Sequence, residues 1–223
     1  MITLKRATPE AVRYACLNYH YAKAIPAASI AYNVYNNDNE WCGVILFGGG
    51  ANNHIGTPFG MAPGEICELV RVALNGKQPC TSECVGAAIR QLHRDRPQIK
   101  MIVSYADIDQ QHIGTIYQAT NWIYLGDVNV DVQGAYIIHG KKIHAKTVYS
   151  NWGTNKLDWL RKHVDPKAQR ITTLGKRKYI WVYDKKLRKQ WQAKALPYPK
   201  KHDNTEEGMA EKGIAISEET MRQ

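Results

Sequence analysis

The sequence predicts an α/β fold in which helices pack against a central β-sheet. Apolar runs of strand length alternate with helical stretches between residues 65 and 128, and the order strand, helix, strand, helix, strand indicates parallel pairing. The run Ile99–Tyr105 is almost entirely apolar, which is typical of a strand covered on both faces of a sheet. Together these observations predict a single α/β core.

The N-terminal third predicts a strand, a helix and a hairpin. Residues 2–6 have the length of a short strand. Thr8-Pro9-Glu10 starts a helix, because it supplies a capping hydroxyl, a proline at the first helical position and an acid in the first turn. Residues 29–35 and 41–47 are apolar runs joined by the Asn-rich turn at residues 36–39, so they predict a hairpin.

The middle third supplies the alternating core. Residues 65–74 form a long predicted strand, and Thr81 or Ser82 caps a helix that Pro97 ends. Its apolar stripe comprises Val85, Ala88, Ile89 and Leu92. A strand at residues 99–105, a short helix at 115–121 and a strand at 122–128 follow.

The chain changes character after Gly140. Thr154 is expected to cap a helix that carries Leu157 and Leu160, and residues 179–183 form a last strand. We expect one catalytic domain over residues 1–190, with residues 139–190 as a basic extension that faces nucleic acid. Residues 191–223 are expected to be a polar, flexible tail.

Positive charge is concentrated in one segment. The net charge is −1 over residues 1–138, +15 over residues 139–202 and −4 over residues 203–223, which sums to the total of +10. A segment this basic, with aromatic residues among its lysines, favours a nucleic-acid partner. A solvated basic surface is the alternative.

Other sequence features concern the compartment and metals. No apolar run approaches the ~20 residues of a membrane span, and residues 1–10 lack the apolar stretch of a signal peptide, so we expect a cytoplasmic protein without a membrane partner. Five cysteines do not suit a disulfide framework. Cys80 and Cys84 have no second pair with which to complete a zinc site.

Several motifs carry a family resemblance. They are ELVRVALN at residues 68–75, SYAD at 104–107, HIGTIYQA at 112–119, KRKY at 176–179 and the pair His20-Tyr21. The core from Glu68 to Gly126 resembles the GNAT N-acetyltransferase superfamily, and the motifs together resemble phage Mom proteins. The resemblance implies a mixed, mostly antiparallel sheet with a splayed central parallel pair and flanking helices. It also implies that acetyl-CoA or a related acyl-CoA lies in the gap.

The implied function is modification of DNA. Phage Mom proteins convert adenine to an N6-carbamoylmethyl form that protects the DNA from host restriction, so the resemblance implies an adenine-modifying transferase in the host cytoplasm. Double-stranded DNA would be the partner, with the adenine flipped out of the stack. A GNAT enzyme that acetylates a small amine or a protein is one alternative, and a non-enzymatic DNA-binding protein is another.

The resemblance also implies site residues. Glu68 matches the position of a general base and Tyr117 that of a general acid, although Glu68 could instead pair with Arg71 and Tyr117 could simply pack. Ser104 and Asp107 end a buried strand and are expected to face the ligand crevice, unless Asp107 caps the next helix. The remaining catalytic candidates are His20 and His112.

The resemblance also indicates which residues would bind the acyl-CoA donor. The acyl-CoA pyrophosphate would lie against backbone N–H groups at a helix N-terminus, although the loop GKQPCTSECVGAA (residues 76–88) departs from the usual pattern. The cofactor-binding candidates are Arg71, Val72, Thr81, Ser82 and Gly86.

An iron site that draws ligands from His20, His54, His112 and Asp107 is a further possibility. The DNA-binding candidates are Lys141, Lys142, His144, Lys146, Tyr149, Lys176, Arg177, Lys178 and Tyr179.

Overall fold

The structure is a computed structural model that describes residues 2–50, 54–130 and 132–200. The strands are β1 (Thr3–Arg6), β2 (Ile30–Tyr35), β3 (Trp41–Gly48), β4 (Ile66–Leu74), β5 (Met101–Asp107), β6 (Ile123–Val128), β7 (Val132–Ile138), β8 (Lys141–His144), β9 (Gln169–Thr173) and β10 (Lys176–Val182). The helices are α1 (Pro9–Asn18), α2 (Thr81–Asp95), α3 (Thr115–Ala119), α4 (Ala145–Trp152), α5 (Leu157–His163) and α6 (Lys185–Gln192).

A seven-stranded sheet has the order β1-β2-β3-β4-β5-β10-β6. Strands β1 to β4 form an antiparallel series, whereas β4 and β5 are parallel. The predicted fold class, a mostly antiparallel sheet with a central parallel pair and flanking helices, is therefore confirmed. A second sheet of three strands has the order β8-β7-β9, and its strands are antiparallel.

The chain divides into two compact units. Unit 1 comprises Met1–Tyr105, Gly114–Gly126 and Lys178–Tyr198, and unit 2 comprises Ala106–Ile113, Asp127–Arg177 and Pro199–Gln223. Unit 1 contains two apolar clusters. One includes Met101, Val103 and Ile180, and the other includes Ala15, Cys16 and Val44.

Unit 2 has its own core. Buried Tyr136 and Ile138 of β7 pack with Val148 of α4 and Leu160 of α5. Three strands and α4 in this part of the chain go beyond what the sequence predicts. Strands β8 and β9 contain one apolar residue each, Ile143 and Ile171, so they lack the alternation of apolar residues from which a strand is predicted.

Two predicted helix caps are wrong. The N-cap of α2 is Cys80, with neither Thr81 nor Ser82 in that position, and the N-cap of α5 is Lys156 instead of Thr154. The predicted cap of α1 and the stripe of α2 are confirmed, since the Thr8 hydroxyl accepts from the Ala11 N–H and all four stripe residues are buried.

The chain after α6 packs within unit 1. The Leu196 N–H donates to the Tyr124 carbonyl at 3.0 Å, and the Tyr198 hydroxyl donates to the Trp122 carbonyl at 2.5 Å. The first part of the predicted flexible tail is thus held by hydrogen bonds, while residues 201–223 lie outside the described residues. Within the described ranges, no helix is long and apolar enough to cross a membrane.

Candidate active site

The parallel strands β4 and β5 separate after three residues. Their register pairs Ile66, Cys67 and Glu68 with Met101, Ile102 and Val103, although both strands continue beyond this point. Beyond the last pair, the Ser104 hydroxyl donates to the Leu69 carbonyl at 2.8 Å. A side chain therefore bridges the two strands where the ladder of backbone hydrogen bonds stops, and the predicted splay lies at Glu68.

Ser104 connects this splay to Tyr117 of α3. The two hydroxyl oxygens are 2.8 Å apart. Because the single Ser104 proton is donated to the Leu69 carbonyl, which can only accept, the Tyr117 hydroxyl donates to Ser104. Two residues that the sequence indicates separately thus form one hydrogen-bonded chain.

Tyr117 is held in its protonated form. Its side chain is 8% exposed, and burial raises the pKa of Tyr117 to about 12. The hydrogen bond with Ser104 opposes this rise in pKa, whereas Tyr21 and Glu68 add to it. A phenol with this pKa donates a proton at neutral pH and does not act as a base.

Glu68 faces the same space. Its carboxylate contributes, after burial, to the raised pKa values of Tyr105 and Tyr117, which places its charge close to both phenols. Gly50 lies over Glu68, because a Cβ built on Gly50 would come within 3.2 Å of Glu68 Oε2. Gly50 therefore has a structural reason that the sequence does not reveal.

His20 and Arg71 form a second pair in unit 1. Arg71 Nη1 lies 2.6 Å from His20 Nδ1, and the Ala22 N–H donates to the same nitrogen at 3.1 Å. Both partners are obligatory donors, so Nδ1 accepts and the imidazole proton resides on Nε2. The Tyr21 ring packs on the imidazole with a centroid distance of 4.2 Å.

The N-terminus of α2 is the candidate pyrophosphate site. Cys80 is the N-cap residue, and the N–H groups of Ser82 and Glu83 lower the pKa of its thiol, so the first turn favours negative charge and suits an anionic ligand. The Thr81 hydroxyl accepts from the Gln78 side chain at 3.0 Å, and Ser82 Oγ lies 3.0 Å from Cys80 Sγ. A Cβ on Gly86 would meet only the Arg90 guanidinium, at 3.5 Å. Backbone groups from Thr81 onward thus suit the anion that an acyl-CoA would present.

Asp107 and His112 belong to unit 2. The Asp107 carboxylate accepts from the Asp109 N–H at 3.1 Å and caps a 3-10 turn at Ile108–Gln110, which is the alternative role that the sequence leaves open. Burial raises the pKa of Asp107, and Lys176 opposes the shift. The exposed His112 contributes its carbonyl, which accepts from Arg177 Nη1 at 3.2 Å.

The DNA-binding candidates differ in accessibility. Lys141, Lys146, Lys176 and Tyr149 are exposed, whereas Lys142 pairs with Asp109 at 3.2 Å. The His144 imidazole accepts from the Lys146 N–H, and desolvation and nearby lysines lower its pKa. Lys178 is half-buried, and its ammonium lies 5.9 Å from the Phe59 ring centroid.

Two of these candidates lack the geometry for DNA contact. Arg177 is 2% exposed and Tyr179 is fully buried. The Tyr179 ring packs 5.0 Å from Tyr117 and fills the space above Gly114, where an added Cβ would meet it at 2.5 Å. Tyr179 therefore packs in the interior of unit 1 and is not placed to contact DNA, which corrects the prediction for this residue.

The donor set does not fit a metal site. Among the described residues, no group of three or more His, Cys, Asp or Glu side chains is arranged to hold a metal ion. The predicted iron site from His20, His54, His112 and Asp107 therefore lacks support, and no chemical step is assigned to iron.

Comparison with known proteins shows the family to which the chain belongs. The model of the Mom protein family matches residues 1–200. No curated protein matches the sequence.

Several solved structures of N-acetyltransferases are similar to this chain. Mutant forms of the spermidine/spermine N-acetyltransferase from Vibrio cholerae are 9% identical with a TM-score of 0.47, covering 85% of this chain and 99% of theirs. A Bacillus subtilis acetyltransferase in complex with CoA is 14% identical with a TM-score of 0.44, covering 82% and 98% respectively. A GNAT family acetyltransferase from Elizabethkingia anophelis with acetyl-CoA bound is 11% identical with a TM-score of 0.44, covering 82% and 98%.

Proposed function

Because the chain belongs to the Mom protein family, we propose that it is a transferase that modifies the exocyclic N6 amine of adenine in DNA. The modification would resemble carbamoylmethylation and would protect the DNA from host restriction. One observation carries the catalytic part of this proposal. Ser104 and Tyr117 are hydrogen-bonded beside the point where β4 and β5 separate, and Glu68, the last residue of β4 that pairs with β5, contributes to the raised pKa of Tyr117.

The proposed donor is an acyl-CoA, which would supply an activated carbon joined to a sulfur leaving group. The residues present fit such a donor. Backbone groups of Arg71 and Val72 lie on β4 beyond its last pair with β5, and the first turn of α2 supplies N–H groups for pyrophosphate. Thr81 and Ser82 lie in that turn and Gly86 lies in the next one, and none of the three has a bulky side chain.

Glu68 and Tyr117 divide the proton transfers between them. The N6 amine of adenine is a weak nucleophile, and Glu68 is placed to accept its proton as the new bond forms. Tyr117 gives its proton to the departing sulfur, and the Ser104 hydroxyl can then rotate away from the Leu69 carbonyl and donate to the resulting phenolate. His20, whose proton lies on Nε2, is a neutral hydrogen-bond donor in the same unit and is a candidate for contact with the substrate or the donor.

The chemistry of the product sets a condition on the donor. Attack on a thioester carbonyl would leave an N6-acyl group, whereas a carbamoylmethyl group has an N6–CH₂ bond. Acyl transfer from a thioester does not form that bond, so a carbamoylmethyl product requires a donor of another class, in which the leaving group is attached to a methylene carbon. The roles of Glu68 and Tyr117 are the same in both cases, because an amine proton is lost and a leaving group departs.

The basic segment provides the proposed DNA contact. Exposed Lys141, Lys146 and Lys176 can neutralise phosphates without first breaking an ion pair of the described residues. Phosphate contacts supply the binding energy that flipping the adenine requires, which is a few kcal/mol. Tyr149, at 59% exposed, can contact the sugar or a base.

Mass spectrometry of nucleosides tests the proposal. DNA from bacteria that express the protein should contain deoxyadenosine of increased mass. Tyr117→Phe should lower the modified fraction through a rate loss of about 10²- to 10⁴-fold, and Glu68→Gln should act alike. Both variants should melt close to the parent and retain DNA binding, which separates lost turnover from lost folding.

Two results would overturn the proposal in different ways. Unmodified deoxyadenosine together with acetylated polyamines or proteins would favour a GNAT enzyme that acts on amines. Unchanged modification by both folded variants would leave the reaction in place and move the active site away from the splay.

A further inference from the structure

Trp159 is a large aromatic side chain that unit 2 leaves exposed. It lies on α5 directly before Leu160, which is fully buried in the unit 2 core with Tyr136 and Val148. Leu160 anchors the helix, and the adjacent Trp159 remains 38% exposed. The helix is thus anchored by Leu160 while part of the Trp159 indole stays accessible to a ligand.

His163 fixes the orientation of this indole. The two rings are stacked with a centroid distance of 4.6 Å and an interplanar angle of 22°. His163 Nδ1 donates to the Trp159 carbonyl at 2.9 Å, since a carbonyl can only accept. The indole is thus supported on one face by a neighbour from its own helix, and its exposed surface is presented in a defined orientation.

The surroundings of Trp159 are cationic. Between residues 139 and 170 the chain has eight Lys or Arg residues and two acidic ones, namely Asp158 and Asp165. Asp165 is buried and accepts from the His139 and Lys167 N–H groups. Lys156 and Lys162 are exposed on either side of Trp159 in the sequence. The charge of this surface therefore complements a polyanion.

We propose that Trp159 is a stacking platform for an unpaired base of DNA. The inference rests on the proposed function, which makes DNA the partner. Aromatic faces beside cations form the combination that binds nucleic acid strands without sequence readout. In a duplex, both faces of each base are covered by its neighbours, so only an unpaired base offers a free face to the indole. The partner of this surface is therefore single-stranded or locally unpaired DNA.

Binding of labelled oligonucleotides by fluorescence anisotropy tests this inference. The two probes are a single strand of about 20 nucleotides, which exceeds the site size of one binding module, and a duplex of the same length. Trp159→Ala should weaken binding of the single strand by about 5- to 150-fold, with a smaller effect on the duplex. Trp159→Phe, which retains an aromatic face, should restore most of the affinity for the single strand.

Two controls separate stacking from charge and from general damage. Trp159→Ala should leave the slope of log affinity against log salt unchanged, whereas Lys162→Gln should reduce it by up to about one unit. Tyr14→Ala removes a ring that is 52% exposed in unit 1. This variant should bind the single strand and the duplex with the affinities of the parent.

The results that would contradict the stacking role differ in whether they leave the proposed function intact. Parental binding of the single strand by a folded Trp159→Ala protein overturns the stacking role, and so does an equal loss for single strand and duplex. A parent protein that binds only the duplex also overturns it while leaving the proposed function intact. A parent protein that binds neither probe overturns both.

Discussion

Cys80 has chemical properties that the other four cysteines lack. It is exposed, whereas Cys16, Cys42, Cys67 and Cys84 are buried. The Ser82 hydroxyl and the N–H groups of Glu83 and Ser82 stabilise its thiolate and lower the pKa of Cys80. Burial raises the pKa of the four others. At neutral pH, Cys80 therefore holds the largest thiolate fraction.

This difference gives a test of the donor site at a single residue. Iodoacetamide should modify Cys80 first, with a rate that rises with pH and reaches half its maximum below the ordinary cysteine pKa of about 8.5. Desulfo-CoA should slow the reaction, because its pyrophosphate would cover the same helix N-terminus. Peptide mass spectrometry measures the extent at each site, and Cys80→Ser is the control. An unchanged rate at saturating desulfo-CoA would contradict the placement of the donor at α2.

At the residue scale, the sequence identifies the hydroxyl groups of the site but not which cations are accessible. Ser104 and Tyr117 follow from motifs, whereas their hydrogen bond depends on how α3 packs over the splay. Arg177 and Tyr179 are predicted to contact DNA but are buried. The sequence does contain a signal for this, since residues 176–182 form a strand, and period-two geometry places 177 and 179 on one face.

At the element scale, Gly114 determines how α3 meets β10. It has a φ of 77°, and an added Cβ would lie 2.5 to 2.7 Å from three atoms of the Tyr179 ring. Gly114→Ala should therefore combine backbone strain with overpacking, at a total cost of about 2 to 4 kcal/mol of unfolding free energy. Urea denaturation of the purified variant measures this loss.

The matched control for Gly114 lies in the same unit. Gly76 has a φ of 86°, and nothing lies within 4 Å of an added Cβ. Gly76→Ala should cost only the backbone strain, about 1 to 2 kcal/mol. Equal losses in the two variants would mean that Tyr179 can move aside, and that the packing of Gly114 on Tyr179 does not hold α3 in place.

The elements that the sequence does not predict have a common cause. Strands β7 and β8 are joined by His139 and Gly140, which have φ values of 50° and 71°, as in a type I′ hairpin turn. Gly140 is a visible turn signal, but the charge that follows it favours a basic extension over a hairpin. Strand β9 pairs with β7 through contacts such as Val132 with Thr173, and no local pattern in the sequence specifies a pairing between residues so far apart.

At the scale of the whole molecule, strand order is the feature that local patterns leave open. The last strand, β10, lies between β5 and β6 in the sheet, although unit 2 contributes most of the intervening residues. The sequence predicts the α/β class and the parallel pair from alternation and from motifs. The position of β10 in the sheet depends on where apolar side chains such as Ile180 can be buried. Burial of this kind depends on the tertiary structure and not on local sequence patterns.

Charge distribution gives the prediction that concerns the whole molecule. Lys141, Lys146 and Lys176 are exposed in unit 2, and each phosphate that a protein neutralises adds about 0.9 to the steepness of log affinity against log salt. Replacing all three lysines by Gln should therefore flatten this slope by up to about three units. Lys142 is left in place because it pairs with Asp109.

The control replaces three exposed lysines of unit 1, Lys5, Lys23 and Lys77, by Gln. It changes the net charge of the chain by the same amount. If long-range attraction alone drew DNA to the protein, both triple variants would lose affinity alike. A flattened slope only for the unit 2 variant would mean that its lysines touch phosphates, because counterion release depends on local neutralisation of phosphates and not on total charge. Equal slopes in the two variants and the parent would contradict DNA binding through these lysines.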